Sequence, residues 1–226
     1  YPTLRYVVQD GASTDDTIEV LRRYPSDAVA LASEPDSGQS QAINRGFART
    51  SGEIMAWLNS DDILLPNALN AVVSCFNRNP EIDVIYGNRL LIDEQDRVIG
   101  RWVLPGHDAE VLSWADWIPQ ETLFWRRRIW DRVGGAVDES FRFAMDWDLL
   151  LRFRDQGARF HHMRRYLGAF RVHDHQKTSA AINDIGAAEM DRLRSRVLGR
   201  IPPAAEINEN IRPFMRRHVF YDRFLS

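Results

Sequence analysis

The chain contains one cysteine, Cys75, so an intramolecular disulfide is excluded. Cys75 lies inside an apolar helical pattern and reads as a small buried hydrophobe, which fits a reducing, cytosolic setting. No apolar run approaches the length of a membrane span. Neither sign of charge dominates: 29 Lys and Arg stand against 32 Asp and Glu, and nothing points to a nucleic-acid binder with a basic face. Internal repeats and low-complexity segments are absent, and no glycine-rich phosphate loop is visible near the start. The first residues, Tyr1-Pro2-Thr3-Leu4-Arg5, hold no initiator methionine and do not read as a signal peptide. The sequence reads as a piece of a longer one, with 226 residues to bury a full core as one large domain or a domain with an appendage.

What is present is an alternation of strand and helix patterns. Residues 4–8 read as a strand, and Ser13 and Thr14 as N-caps for a helix over 15–24. Residues 29–32 read as a short strand and 37–50 as a helix, with Ile43 and Phe47 four apart. An apolar run over 54–58 reads as a buried strand. Leu69, Val72, Val73 and Phe76 follow the i, i+3, i+4, i+7 pattern of a helix with one buried face. Residues 84–86 are short and apolar, and 88–104 read as a hairpin with its turn at 93–96. Strand, helix, strand, helix to this point predicts a parallel sheet with helices on its faces. The second half is less regular. Residues 107–117 are weakly helical, 121–126 read as a strand, and 128–133 as a short helix stopped by Gly134-Gly135. Residues 146–156 carry a stronger helical pattern, 159–172 a strand, 178–198 an amphipathic charged helix, and 208–224 a last helix interrupted near Pro213.

The most informative stretch is the end of the apolar run, in Asn59, Asp61 and Asp62. Ligands sit outside the carboxyl ends of parallel strands, and carboxylates clustered there repel each other unless a cation is present. A hard divalent ion with oxygen ligands suits them, and such ions usually arrive with phosphates. On these residues alone an equal reading is that Asp61 and Asp62 cap the turn or helix beginning near Leu65-Pro66. Asp10, after Val7-Val8 and before Gly11, closes another strand. A carboxylate there accepts from a base N–H or a ribose hydroxyl; an Asp-Gly turn is the alternative. Asp146 starts a helix and shares the face of Leu149 and Leu150. It is either a cap or a partly buried general base whose pKa desolvation moves toward the working range. Asp148, turned about 200° from it, is expected to face another way. His173 can complete a mixed oxygen and nitrogen divalent site, or be a loop histidine. His161 and His162 fall in a strand pattern and should face opposite sides. Trp114, Trp117, Trp125 and Trp130 read mostly as core, with one or two available to stack on a sugar ring. The three arginines 126–128 read as a solvated corner.

In their order these pieces resemble a family 2 glycosyltransferase of the GT-A fold. Four segments carry the resemblance. They are Tyr6-Val7-Val8-Gln9-Asp10-Gly11-Ala12-Ser13-Thr14-Asp15; Ser33-Glu34-Pro35-Asp36-Ser37-Gly38-Gln39-Ser40 through Asn44-Arg45-Gly46-Phe47; Gly52-Glu53-Ile54 through Asn59-Ser60-Asp61-Asp62; and Ala144-Met145-Asp146-Trp147-Asp148-Leu149 with Arg152. Pro119-Gln120-Glu121-Thr122 and Phe170-Arg171-Val172-His173 fit too. The resemblance implies an α/β, GT-A-type fold: a mostly parallel sheet with helices on both faces over residues 1–175, then a C-terminal helical extension over 176–226. It implies that Asp10 contacts the nucleoside base, with Ser13 and Asn44 also in the nucleotide-sugar site and Asn59 near the ribose. Asp61 becomes the metal ligand, with His173 beside it, and Asp146 the catalytic base. Three departures stand out. Asn59 replaces the first acid of the metal motif and lowers local negative charge. Ile43 stands where many members have arginine. One β-α unit is expected to be missing before Tyr1, leaving residues 4–8 as an open edge.

The implied activity is inverting transfer of a sugar from a nucleotide-diphospho-sugar to an acceptor hydroxyl, with divalent Mn2+ or Mg2+. The implied acceptor is a glycan or lipid-linked glycan in polysaccharide or glycan biosynthesis, in the cytoplasm and at most peripheral at the inner face of the membrane. Two other classes stay open. One is a nucleotidyltransferase on a related fold. The other is a non-catalytic sugar-nucleotide or glycan-binding module, which keeps Asp10 and Asp61 but has no need of Asp146. Whether Asp61 and Asp146 face one cleft discriminates among them.

Overall fold

Two parallel strands open the chain. β1 (Tyr6–Asp10) pairs with β2 (Val29–Ser33), Tyr6 against Val29 and Asp10 against Ser33, in a two-stranded sheet of their own. The structure, a computed structural model, describes residues 1–24, 29–173 and 185–224. Between the two strands lies α1 (Thr17–Leu21), shorter than the 15–24 pattern. Its first turn is entered through Asp15, whose carboxylate takes the Thr17 amide at 3.1 Å. After β2 comes α2 (Gln39–Ala48), entered at Gly38 with φ 136°, a conformation open to glycine.

The larger sheet is built from β3 (Ile54–Met55), β4 (Ile63–Leu64), β5 (Val84–Ile92), β6 (Val98–Trp102), β7 (Phe124–Arg126) and β8 (Phe160–Arg171). Its order is β3-β7-β5-β8-β4, with β6 also on β5. Within it only β5 and β8 run parallel; the other four pairings are antiparallel. The sheet is therefore mixed, which corrects the expectation of a mostly parallel one. Short connections are the reason. Residues 93–97 reverse the chain directly between β5 and β6, with Asp96 at φ 62° and the Asp93 carboxylate holding the Gln95 and Arg97 amides, and a tight turn joins antiparallel neighbours. The run over 54–58 forms a ladder only at Ile54 and Met55, antiparallel to β7. It is apolar because it is packed on both sides: Trp57 joins the larger core cluster and Ala56 the smaller.

Those two clusters lie on opposite faces of the sheet. Along β5, Val84 and Tyr86 point into the larger cluster and Ile85 into the smaller, the alternation a pleated strand imposes. Trp125 and Phe124 on β7 divide the same way. The smaller cluster is covered by α3 (Ala68–Arg78), which buries Ala68, Val72 and Phe76. The larger takes α4 (Arg127–Arg132) and α5 (Met145–Asp155). Helix α5 buries seven of its eleven residues, so it is a central helix, apolar nearly all round. Two later helices, α6 (Ala187–Leu198) and α7 (Ala204–Phe224), contribute Leu193 and Phe214 to that cluster. Helix α7 runs through Pro213 without a break. The boundary expected at residue 175 and the helix start expected at Thr178 lie outside the described residues.

The arginine run is not a solvated corner at its first member. Arg126 is 7% exposed. Its guanidinium bonds the carbonyls of Ile82 at 2.9 Å and Phe76 at 2.7 Å, lies over the Phe76 ring, and pairs with Glu53. A forked donor is satisfied there by a carbonyl in the last turn of α3 and one in the loop that follows it. Replacing Arg126 by Met is expected to cost roughly 2–3 kcal/mol, since charged hydrogen bonds to buried carbonyls are lost. Glu53→Gln, which touches a mostly exposed partner, should cost under about 1 kcal/mol. Urea unfolding of both variants checks this; equal losses would show that the ion pair, not the carbonyl bonds, matters.

Candidate active site

At the end of β1, Asp10 is 8% exposed. Its oxygens accept from the Ser13 amide at 3.0 Å, the Ser13 hydroxyl, and the Ser33 hydroxyl at 2.6 Å. These bonds, the Ser13 hydroxyl first, hold the carboxyl below its ordinary range against a smaller cost of desolvation. Immediate neighbours shield it although little protein lies beyond them. Ser13, expected at the nucleotide, is first of all the clamp on Asp10. Ala12, at φ 67°, makes the turn that brings Ser13 back.

The second acidic group closes the stretch after β3. Asn59 accepts from the Gln39 amide at 2.7 Å and donates to Asp62 and to Gln120, both at 3.2 Å. Gln120 in turn donates to the Trp57 carbonyl at 2.9 Å. Asp62 is 7% exposed and takes the Arg171 amide at 3.2 Å. Burial, then the Asp61 charge, push its carboxyl up to about 6 against that amide bond. Asp61 is the open member of the pair, its side chain 38% exposed, with Oδ2 3.2 Å from His173 Nε2. The neighbouring Arg171 joins this group to the hairpin: it donates to the Asp61 and Asp93 carbonyls and pairs with Asp96. Among the described residues no three His, Cys, Asp or Glu side chains form a ready cage for a metal. An accessible carboxylate beside an imidazole nonetheless fits a divalent ion that takes one or two protein donors and completes its shell from phosphate oxygens.

Behind this group lies a charge relay absent from the sequence reading. Glu121 is 2% exposed, its Oε2 3.7 Å from Arg89 Nη1. The Glu121 Oε1 and Arg89 Nε atoms are buried without a hydrogen-bond partner. Gly168 on β8 allows the close approach: a Cβ there would sit 2.9 Å from Glu121 Cγ and its carbonyl oxygen. Arg89 also lies over the Phe170 ring and within electrostatic reach of Asp62 and Asp116. Asp116 is exposed to solvent, with protein atoms crowding around it. Desolvation by those atoms, then the Asp146 charge, raise its carboxyl well above the usual range, with Arg89 opposing. One acid of each pair, Asp116 beside Asp146 and Asp62 beside Asp61, thus lies within electrostatic reach of Arg89. An arginine inside an apolar strand was a legible signal for this site; Asp116 carried none.

Asp146 stands in the first turn of α5, half-buried, its Oδ1 accepting the Trp147 amide at 2.9 Å. The cap position belongs to Ala144. Asp148, expected to face away, is fully buried and paired with Arg152 at 2.8 Å and Arg196 at 2.5 Å. The expectation failed because α5 is covered on nearly every side, and because Arg196 arrives from α6, where no local periodicity reports it. Asn44, expected at the nucleotide, is spent on the chain before α5. Its amide bonds the Val137 carbonyl and amide and the Glu139 carboxylate at 2.9–3.0 Å. A cavity of about 310 Å3 lies there, between the start of α2 and residues 139–143. Gln39 lines it and links it to Asn59. Another, of about 440 Å3, sits between α3 and β8, lined by no carboxylate and remote from this chemistry. Of the four tryptophans, Trp117, Trp125 and Trp130 are core and Trp114 is half-buried.

Residues 1–149 match the family described as Glycosyl transferase family 2. An uncharacterized glycosyltransferase of Rickettsia typhi is 28% identical over 195 residues, covering 82% of this chain and 60% of its own length. The O-antigen biosynthesis protein RfbC of Myxococcus xanthus is 28% identical over 162 residues, 72% of this chain and 12% of its own. The chain therefore spans well under two thirds of these relatives. Among solved structures, S. aureus TarS 1–349 in complex with UDP-GlcNAc superposes with a TM-score of 0.66 at 16% identity, over 98% of this chain and 65% of that one. The mannosyltransferase PcManGT of Pyrobaculum calidifontis, in complex with GDP-Man and Mn2+, gives 0.62 at 18%, over 98% and 61%. The fold is thus the GT-A fold of these glycosyltransferases.

The buried Glu121 makes a pH signature. Burial, against the Arg89 charge, lifts its carboxyl to about 7, whereas an unfolded glutamate titrates near ~4.3. The folded state holds this proton more tightly, so its contribution to stability is full below the unfolded value and is lost as pH rises through about 7. Glu121→Gln should remove that loss. Melting temperatures of the two proteins from pH 5 to pH 8 are expected to diverge, the wild type falling relative to the variant; a constant difference would show that Glu121 does not titrate there.

Proposed function

The chain belongs to glycosyl transferase family 2, and from that premise we propose that it is an inverting glycosyltransferase moving a sugar from a nucleotide-diphospho-sugar to an acceptor hydroxyl. The observation that carries this reading is that Arg89 lies within electrostatic reach of one acid from each pair, Asp62 beside Asp61 and Asp116 beside Asp146. Such an arrangement supports one cleft with a donor wall and a base wall.

Each wall has work its residues can do. Asp10, kept ionised by three hydrogen bonds, accepts from a base N–H or ribose hydroxyl. Asn59, oriented by Gln39, Gln120 and Asp62, stands near the ribose. Asp61 and His173 would hold a divalent ion, Mn2+ or Mg2+, which when bound offsets the charge of the diphosphate. Across the cleft, Asp146 takes the proton of the acceptor hydroxyl. The new bond to the anomeric carbon forms on the face opposite the one from which the nucleoside diphosphate leaves, and the configuration inverts. The UDP-GlcNAc and GDP-Man named for the two structural relatives support the donor class, and the O-antigen relative supports a role in polysaccharide synthesis. A glycan or lipid-linked glycan is the proposed acceptor. No helix among the described residues is long and apolar enough to cross a membrane. The proposed setting is cytoplasmic, with at most peripheral membrane contact, which the lone cysteine and a nucleotide-sugar donor support. In this reading residues 1–175 form the transferase domain and 176–226 its helical extension.

The donor wall is tested by calorimetry with UDP and GDP, with and without Mn2+, in the full-length protein. Asp61→Asn is expected to abolish the metal-dependent part of binding. Asp10→Ala should weaken binding in both conditions. Metal-dependent affinity surviving in Asp61→Asn, or an Asp10→Ala loss confined to the metal-containing samples, would overturn these assignments.

The base wall is tested by turnover. Asp146→Asn should lower it roughly 10²–10⁴-fold, the usual contribution of a general base, with donor affinity nearly intact. A stable variant with near-normal turnover ends the assignment.

A further inference from the structure

Helix α5 begins with a defect. The first N–H groups of any helix lack intrahelical partners, and a Ser, Thr, Asp or Asn at the N-cap usually supplies an oxygen. Here the N-cap is Ala144, which has none to give. Another helix instead fixes the cap residue and the two residues that lead into it. Glu189, on α6, directs Oε1 to the Arg142 amide at 2.8 Å and Oε2 to the Phe143 and Ala144 amides at 2.8 and 2.9 Å. Glu189 is 9% exposed, and a buried carboxylate is costly unless fully bonded. Among the described residues it has no ion-pair partner; three charge-assisted bonds and the positive end of the α5 dipole hold it.

We propose that Glu189 is a positioning residue of the transfer reaction, its carboxylate fixing the cap residue of the helix that carries Asp146 and the two residues before it. This rests on the reading of Asp146 as the base. Asp146 lies two residues beyond Ala144, and its Oδ1 is bonded to the amide of that same first turn. The chain leading into it, residues 137–144, has no strand or helix of its own. It is fixed by side chains from two flanks. From α2, Ser40 bonds the Phe141 carbonyl at 2.7 Å and Asn44 brackets Val137. From α6, Glu189 takes the next three amides, and one more helical stretch along Arg196 bonds Asp148 at 2.5 Å. Helix α6 therefore grips the first turn of α5 on both sides of Asp146. All of α6 lies beyond the residues matched by the family, 1–149.

The test uses the full-length protein with Glu189→Gln, Glu189→Ala, Asp146→Asn and the double variant Asp146→Asn/Glu189→Ala. Nucleoside diphosphate release from UDP-GlcNAc and from GDP-mannose with Mn2+ gives kcat and donor KM. Amide hydrogen exchange over residues 142–147 reports the cap itself. Glu189→Ala is expected to speed that exchange and lower kcat roughly 10–100-fold with donor KM within about two-fold, the pattern of a misplaced group that acts only in the transition state. Glu189→Gln, with one amide oxygen left to accept, should fall between. In the Asp146→Asn background Glu189→Ala should cost nothing further. Unchanged exchange in Glu189→Ala overturns the cap whatever the donor. Faster exchange with wild-type kcat, or a full additional loss in the double variant, overturns the positioning role while the base assignment stands. Wild-type turnover in Asp146→Asn overturns the base assignment, and the role of Glu189 with it.

Discussion

Like charges have to coexist across this cleft, and the surrounding structure is organised by how they are held. Asp61, Asp62 and Glu121 lie within electrostatic reach of one another in turn, Asp61 to Asp62 and Asp62 to Glu121, and Asp116 and Asp146 form a second pair. Left to themselves they would protonate or move apart. Arginines oppose this. Arg89 lies within electrostatic reach of three of the acids, Arg171 ties the Asp61 backbone to Asp93 and Asp96, and Arg152 and Arg196 neutralise Asp148 in the first turns of α5. The sequence holds only one lysine, Lys177. A planar fork of five donors binds a carboxylate and a carbonyl at once, which a point-charge ammonium does not. Arg126 and Arg152 each do this, joining a carboxylate to two backbone carbonyls.

The apolar architecture makes those contacts possible. A sheet packed on both faces leaves polar groups only at strand ends and edges. Asp10 therefore appears where β1 stops, Asp61 and Asp62 just before β4, and His173 just after β8. The strand β5 is the exception: it carries Arg89 inward past a buried stretch, and the cost of that charge is met by Glu121 beside it and the Phe170 ring above it. Gly168 permits this arrangement by letting β8 run against the Glu121 backbone.

Much of this was legible from local pattern. The strand over 159–172, the hairpin about 93–96, and the helices over 37–50, 128–133 and 146–156 all appear within a few residues, because each rests on periodicity and turn chemistry within its own span. Asp10, Asn59, Asp61 and His173 were picked out for the same reason: each ends an apolar element. What was not legible depends on distant partners. The 54–58 run is apolar for packing, not for a ladder, and its antiparallel partner is about seventy residues away. Asn44 and Ser13, expected at the nucleotide, bond Val137, Glu139 and Asp10 here, and the Asn44 partners lie too far along the chain for local pattern to report. Asp148 was misplaced because Arg196 and the near-complete burial of α5 are tertiary facts. Nothing local marked Asp116 or Glu189.

The same limit explains why the helices after β8 matter to the site. A central helix buried on nearly every face draws on distant partners: the residues leading into it need acceptors for their amides and its buried acid needs cations. The residues just before α5 are Phe141, Arg142, Phe143 and Ala144, none of which offers a side-chain oxygen. Helix α6 supplies both needs with one face, Glu189 for the amides and Arg196 for Asp148, while Leu193 between them enters the common core. Positions 189, 193 and 196 follow the i, i+4, i+7 spacing of a single helical stripe. A stripe that combines an acid, an apolar residue and a base in that order is matched to an N-terminus, a core and a buried carboxylate in the same order. That match couples the C-terminal helices to the geometry of Asp146 more directly than shared apolar burial alone would.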